Sequence, residues 1–128
     1  MQFRPEMIEA IKAGKKTQTR RPVKPGDFQL WDHSPVRPSV RVITVCDGKG
    51  RVRWRIYGRY SICPGRGKDR VGLILLTGIR SEHVNQISEQ DALAEGFENR
   101  EAFLAAWKAL YPKGNLEANV WVLEFRLA

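Results

Sequence analysis

The sequence predicts an α+β fold: a small, mostly antiparallel β-barrel with helices packed on its outside. Three observations lead there. Helical patterning is confined to a stretch near the start and a pair of stretches after residue 87, while strand-like runs fill most of the interval between and close the chain. No regular alternation of strand and helix is present, which argues against a doubly wound parallel sheet. The length of 128 residues fits one domain, and an apolar share of 42% supports a real core.

The elements follow in order. Pro5 opens a helix, where its missing N–H costs nothing. Met7, Ile8 and Ile11 share one face of it, and Gly14 is a natural stop. A dense polar stretch, Gly14-Lys15-Lys16-Thr17-Gln18-Thr19-Arg20-Arg21, comes next, and Pro22 and Pro25-Gly26-Asp27 end any regular element there. Residues 28–39, with Trp31, Asp32 and His33 between prolines, read as a loop with at most a short strand. Val40 to Cys46 reads as a strand, Asp47-Gly48-Lys49-Gly50 as a hairpin turn, and Arg51 to Tyr57 as its partner. In that partner Val52, Trp54 and Ile56 alternate with Arg51, Arg53 and Arg55. Tyr60 to Cys63 is a further short strand, followed by a basic loop through Lys68, and Val71 to Ile79 is a long apolar one. Ser88 caps a short helix with Asp91 at the capping-box position, and Asn99 caps a second. In the second, Phe103, Leu104, Trp107, Leu110 and Tyr111 form one stripe. Val120 to Leu127 closes the chain as a strand.

Composition narrows the function classes. Residues 1–70 hold 17 Lys and Arg against 6 Asp and Glu, whereas residues 71–128 hold 5 against 8. One basic half points to an anionic partner such as nucleic acid, a nucleotide or phosphate. No apolar run approaches the ~20 residues of a membrane span. Met1-Gln2-Phe3-Arg4-Pro5 has no apolar signal-peptide core, so a cytoplasmic location is expected, with no membrane partner. Cys46 and Cys63 build neither a disulfide framework nor a zinc site, and read as buried thiols. No cofactor motif, metal-ligand cluster or obligatory protein partner is visible. His33 and His83 have no obvious partner and receive no role.

The densest chemistry lies in residues 14–21, where four cations and two hydroxyls share eight positions. A hydroxyl becomes a nucleophile beside a base. A lysine serves as that base when burial or neighbouring cations lower its pKa, and Lys15, Arg20 and Arg21 are such neighbours of Lys16. Lys16 and Thr19 are three residues apart, within reach of each other across one tight turn. A second candidate is Gly65-Arg66-Gly67-Lys68, too short for a Walker-type loop but able to converge backbone N–H groups on an anion, or simply a turn. A third is the Arg51, Arg53, Arg55 row, which suits a phosphate backbone or a solvated strand face.

The stretch resembles the Gly-x-Lys-x-x-Thr-x-Arg signature of ASCH domains, small PUA-like β-barrels, through Gly14, Lys16, Thr19 and Arg21. The resemblance continues through Cys63-Pro64-Gly65-Arg66-Gly67-Lys68, Ile87-Ser88-Glu89-Gln90-Asp91-Ala92, Glu95-Gly96-Phe97 and the closing Val120-Trp121-Val122-Leu123-Glu124-Phe125. It covers most of a single domain spanning 1–128, with residues 27–57 reading as an insertion. The family includes RNA binders, suspected ribonucleases and amidohydrolases that release cytidine and acetate from N(4)-acetylcytidine. Similarity to the amidohydrolases implies Lys16 as base, Thr19 as nucleophile and Glu95 as the acid, with Glu89 and Asp91 alternatives in the same segment. Glu95 would protonate the departing amine and then activate water, which asks for a partly apolar setting. Arg21 or a backbone N–H would stabilise the oxyanion. Phe3, Gly14, Arg21, Arg66 and Lys68 are the expected substrate-binding residues. The implied partner is a modified cytidine nucleoside, and the alternative is RNA held in the same basic cleft.

Overall fold

The computed structural model describes residues 1–31 and 42–128. The first helix, α1, runs Pro5–Lys12 and buries Ile8 and Ile11, as its periodicity demands. Seven strands follow: β1 (Gln18–Pro22), β2 (Phe28–Trp31), β3 (Val42–Cys46), β4 (Val52–Arg55), β5 (Arg59–Ile62), β6 (Gly72–His83) and β7 (Asn119–Leu127). Between β6 and β7 lie one turn of 3-10 helix (Val84–Gln86), α2 (Glu89–Ala94) and α3 (Arg100–Leu110). Both expected caps form. Ser88 Oγ accepts from the Asp91 N–H at 3.0 Å, and Asn99 Oδ1 accepts from the Ala102 N–H at 2.8 Å. Each satisfies one helix N–H that has no partner inside its helix.

The strands form two antiparallel sheets, ordered β1-β7-β6-β5 and β2-β3-β4. Among the described residues no ladder closes them into one barrel. They meet through side chains instead. Val42, Val45 and Trp54 of the smaller sheet share a core with Ile62, Leu76, Leu123 and the α1 residues. A second core forms on the opposite face of β7. There Val120 and Val122 pack against Ala92 of α2 and Phe103 and Trp107 of α3. Both faces of β7 are therefore covered, so Val120 to Leu123 form an unbroken buried run rather than a strict alternation.

The structure refines the sequence reading at three places. Residues 18–22, expected to be irregular, form edge strand β1, paired with β7 from Gln18↔Glu124 to Pro22↔Val120. Pro22 sits at its end, where an edge strand tolerates a missing N–H. Phe28–Trp31 is a paired strand, in register with β3, so residues 27–57 supply the whole of the smaller sheet. The long apolar strand continues past Ile79 to His83, because β7 offers backbone partners as far as Asn119. In β4, Trp54 and Ile56 beside it are buried while Val52 is exposed, at a register shift opposite Val45 and Cys46. Cys46 is buried and Cys63 half-buried, both as free thiols. Asp32, His33 and the first two residues of the expected Val40–Cys46 strand lie outside the described residues.

Two turns approach each other closely at one end of the smaller sheet. Gly26 has φ +86°, and a Cβ there would lie 2.8 Å from the Gly48 Cα. Both facts oppose a side chain. Gly26→Ala is expected to destabilise the protein by more than ~1 kcal/mol, since neither the strained φ nor the backbone neighbour can yield cheaply. Urea unfolding of the two proteins measures the difference.

Candidate active site

The signature residues are brought together by local geometry. At Gly14, φ is +75°, and the chain turns back so that the Lys15 and Lys16 N–H groups both donate to the Ala10 carbonyl. The Thr17 N–H donates to the Ala94 carbonyl at 2.7 Å, and the Thr17 carbonyl accepts from the Phe125 N–H at 2.9 Å. These bonds press the start of β1 against the end of α2. Glu95 is the C-cap of α2, and Gly96 follows with φ +95°. A Cβ at Gly96 would lie 3.1 Å from Met7 Sδ and 3.7 Å from two carbons of Lys16. Glycine at that position lets the helix end directly on Lys16.

Lys16 and Glu95 are each only 4% exposed. Lys16 Nζ donates to the Gln18 carbonyl at 2.8 Å, the Glu95 carbonyl at 2.7 Å and Glu95 Oε1 at 3.1 Å. Burial pushes the Lys16 amine below its ordinary range; Glu95 opposes this, while Arg21 and Arg20 push it further down. Both oxygens of Glu95 are occupied by cations, since Arg20 Nη1 donates to Oε2 at 2.9 Å. Glu95 thus stands as an acceptor between two cations, not in the apolar setting that a neutral acid asks for. Asp91, the alternative acid, accepts from Gln18, Arg20 and Arg80 and lies away from the cavity described next. Glu89 caps the N–H of Arg100 instead.

A cavity of about 360 Å³ opens along the edge of β1. Its lining combines the polar residues Lys16, Thr19, Arg20, Arg21 and Glu95 with the aromatic residues Phe3, Phe103, Trp107 and Tyr111. Thr19 is buried, reaches this cavity, and its hydroxyl makes no hydrogen bond among the described residues. Lys16 and Thr19 share the cavity without a hydrogen bond between them. Phe3 carries Arg21 over its ring at 5.0 Å and Lys16 at 5.8 Å. Arg21 also donates to the Gln2 carbonyl at 3.0 Å.

The remaining expected residues lie elsewhere. Gly14 shapes the turn before Lys16 but does not line the cavity, and neither do exposed Arg66 and Lys68, although Pro64 of the same loop does. Of the arginine row, Arg51 and Arg55 are exposed, while Arg53 pairs with Asp27 and lies 4.1 Å from the Trp54 ring centre. Among the described residues no cluster of three or more His, Cys, Asp or Glu is placed to hold a metal, and no helix is long and apolar enough to cross a membrane.

No family model matches the chain, and no curated protein matches it. Two solved structures do. One is the ASCH domain from Lactobacillus crispatus JV V101, at TM-score 0.58 and 16% identity over 94% of this chain and 69% of that one. The chain has the ASCH-domain fold. A protein from Enterococcus faecalis V583, described by the family model DUF984, matches at TM-score 0.56 and 15% identity, over 94% and 68% of the two chains. Within this ASCH fold, the cavity sits where the signature segment, the end of α2 and α3 converge.

Two features of the ASCH-fold site escaped the sequence reading. Phe103 and Trp107 read as core, and they are buried, yet they also wall the cavity; burial and lining leave the same apolar stripe in a sequence. Arg20 read as one cation among four, yet it is the centre of an ion network. The surplus of acids in the second half, at Glu82, Asp91, Glu95 and Glu124, was the available signal.

Asp27 ties the smaller sheet to β7 beside a second, more open hollow. Its Oδ2 accepts from the Lys24 N–H at 2.9 Å, the Trp121 indole at 3.0 Å and Arg53. Burial pushes Asp27 up, but those donors outweigh it and hold its carboxyl below the usual carboxylate range. A carboxylate depressed in the folded state contributes stability above its unfolded value of ~3.9 and loses it as pH falls through the folded value. Urea midpoints measured downward from pH 7 should therefore fall more steeply below about pH 4 in the native protein than in Asp27→Asn.

Proposed function

We propose that the protein is an amidohydrolase that removes the acyl group from N(4)-acylated cytidine or a closely related modified nucleoside. One observation carries the reading: the Thr19 hydroxyl, without a hydrogen bond among the described residues, lines the same aromatic-walled cavity as a buried lysine whose amine is pushed below its ordinary range. Cavities of ~300–1,000 Å³ accept small organic ligands, and this one lies at the small end, suited to a nucleoside. Phe3, Trp107 and Tyr111 line it, and aromatic side chains are suited to contact with a planar base.

The geometry supports the following chemistry. Lys16 that has lost one proton to solvent keeps two of its three donations, and its free lone pair accepts the Thr19 proton as Thr19 Oγ1 attacks the acyl carbon. Arg21, on the cavity wall, stabilises the resulting oxyanion. Lys16 then returns the proton to the exocyclic nitrogen as the C–N bond breaks, releasing cytidine and leaving an ester on Thr19. Water adds to that ester while Lys16 takes its proton, and Lys16 passes the proton back to Thr19 as the carboxylic acid departs. Here Lys16 carries the proton that the resemblance assigned to Glu95, because both Glu95 oxygens are already held by cations.

The test is direct. The purified protein is mixed with N(4)-acetylcytidine and the ultraviolet spectrum is followed as it reverts to cytidine. Conversion by the native protein and none by Lys16→Ala supports the reading; no conversion by the folded native protein overturns it. RNA binding is the second reading, favoured by the exposed cations Arg51, Arg55, Arg66 and Lys68. Binding of that kind weakens steeply with salt, as each neutralised phosphate releases counterions. Substituting Arg51 and Arg55 together should flatten that slope if RNA is the partner, and leave hydrolysis of a free nucleoside unchanged.

A further inference from the structure

Arg20 takes no part in the bond-making steps above, yet it is built into the centre more firmly than any residue that does. Its side chain is wholly buried, and all five N–H groups are directed. Nε donates to Glu82 Oε1 at 3.0 Å. Nη1 donates to Glu95 Oε2 at 2.9 Å and to Gln18 Oε1 at 3.0 Å. Nη2 donates to Glu82 Oε1 at 2.6 Å and to Asp91 Oδ2 at 3.3 Å. Buried ion networks of this kind are weak sources of net stability, because desolvation offsets their attraction. Their use is to fix an arrangement.

The arrangement fixed here is that of Glu95. Arg20 takes Oε2 and leaves Oε1 to Lys16. The Arg20 fork is itself anchored on Glu82 of β6 and Asp91 of α2. Asp91 is held in turn by Arg80 at 2.7 Å, and Arg80 by Glu124 of β7 at 2.6 Å. The orientation of one carboxylate is thus referred to three elements of the fold. We propose that Arg20 is the positioning residue of this centre: it divides the Glu95 carboxylate between two cations, so that Glu95 orients Lys16 without capturing it and the mobile proton stays with Lys16. The inference rests on the amidohydrolase reading and specifies which groups set its pH dependence.

The charged groups around Lys16 are Glu95 at the end of α2 and Arg20 and Arg21 of β1, with the Phe3 ring ahead of α1 on the remaining side. Those around Arg20 are Glu82, Asp91 and Glu95. Removing the Arg20 fork frees Glu95 to pair wholly with Lys16, and loss of the Arg20 charge removes a cation that opposes protonation of Lys16. Both changes raise the Lys16 pKa. Since neutral Lys16 is the active form, the acid limb of the rate profile moves to higher pH and the rate at pH 7 falls.

The experiment compares native protein with Arg20→Gln and Arg20→Lys by two readouts. Lysine side-chain NMR follows the titration of Lys16, and the kcat and KM of N(4)-acetylcytidine hydrolysis are measured across pH. In Arg20→Gln the Lys16 titration and the acid limb should both rise by about one unit, with kcat at pH 7 down about tenfold and KM within about twofold. Arg20→Lys keeps the charge without the fork, so it should show a smaller shift in the same direction and partial recovery of kcat. A Lys16 titration and acid limb that match the native protein in both folded variants overturn the proposal, as does a loss expressed only in KM. If Arg20→Gln fails to fold, Arg20→Lys decides by the same readouts. If the native protein does not hydrolyse the nucleoside, the function reading fails by itself, and the Lys16 titration still decides the role of Arg20.

Discussion

Lys16→Ala should lower turnover of N(4)-acetylcytidine by about 10³-fold or more while the protein stays folded. The size follows from the double use of Lys16, which moves a proton in acylation and again in deacylation; a single general acid or base is worth ~10²–10⁴. The fold should survive because Glu95 keeps Arg20 as a partner at 2.9 Å. It also removes a buried cation whose desolvation opposes the charged form. Lys16→Arg should be equally inactive, since a guanidinium does not give up its proton near neutral pH. Steady-state rates, with circular dichroism as the control for folding, check both variants. A folded Lys16→Ala protein with native turnover would remove Lys16 from the mechanism.

Thr19→Ala should cost a comparable factor, again ~10³ or more, because the hydroxyl that accepts the acyl group is gone. Its side chain forms no hydrogen bond among the described residues, so little structural support is lost with it. Thr19→Ser keeps the hydroxyl and should retain a measurable fraction of the rate. Lys16 and Thr19 act as a unit in this account, so the double substitution should be little worse than either single one. Rates that simply multiply would show two independent contributions and contradict the shared proton path.

The helices were legible from local sequence because their signals are local. Ser88 and Asn99 each sit three residues ahead of the N–H they cap, and Pro5 and the apolar spacing of α1 lie within the helix they specify. Strand β1 was not legible. Its polar run Gln18-Thr19-Arg20-Arg21 becomes a buried strand only because Glu82, Asp91, Glu95 and Glu124, all more than sixty residues later in the chain, meet it there. A cation beside a distant carboxylate looks the same in sequence as a cation in water.

The same contrast runs through the site. Lys16, Thr19 and Arg21 stood out through their signature spacing and Glu95 through the family resemblance, and the fold places all four on one cavity. Phe3 joins them, through the short segment that leads into α1. Arg66 and Lys68 carry the same charge and lie on a motif-like loop, yet they stay in solvent outside that cavity. The division of labour between Glu95 and Lys16 depends on where Arg20 points, and no local pattern records that.

In the proposed reaction Thr19 carries the acyl group between substrate and water. Native protein turning over N(4)-acetylcytidine, stopped in acid at successive times and mapped by peptide mass spectrometry, tests it most directly. An acetyl ester on Thr19 should be present during turnover and lost as substrate is exhausted. Cytidine released at the native rate with Thr19 unmodified at every time point would contradict it.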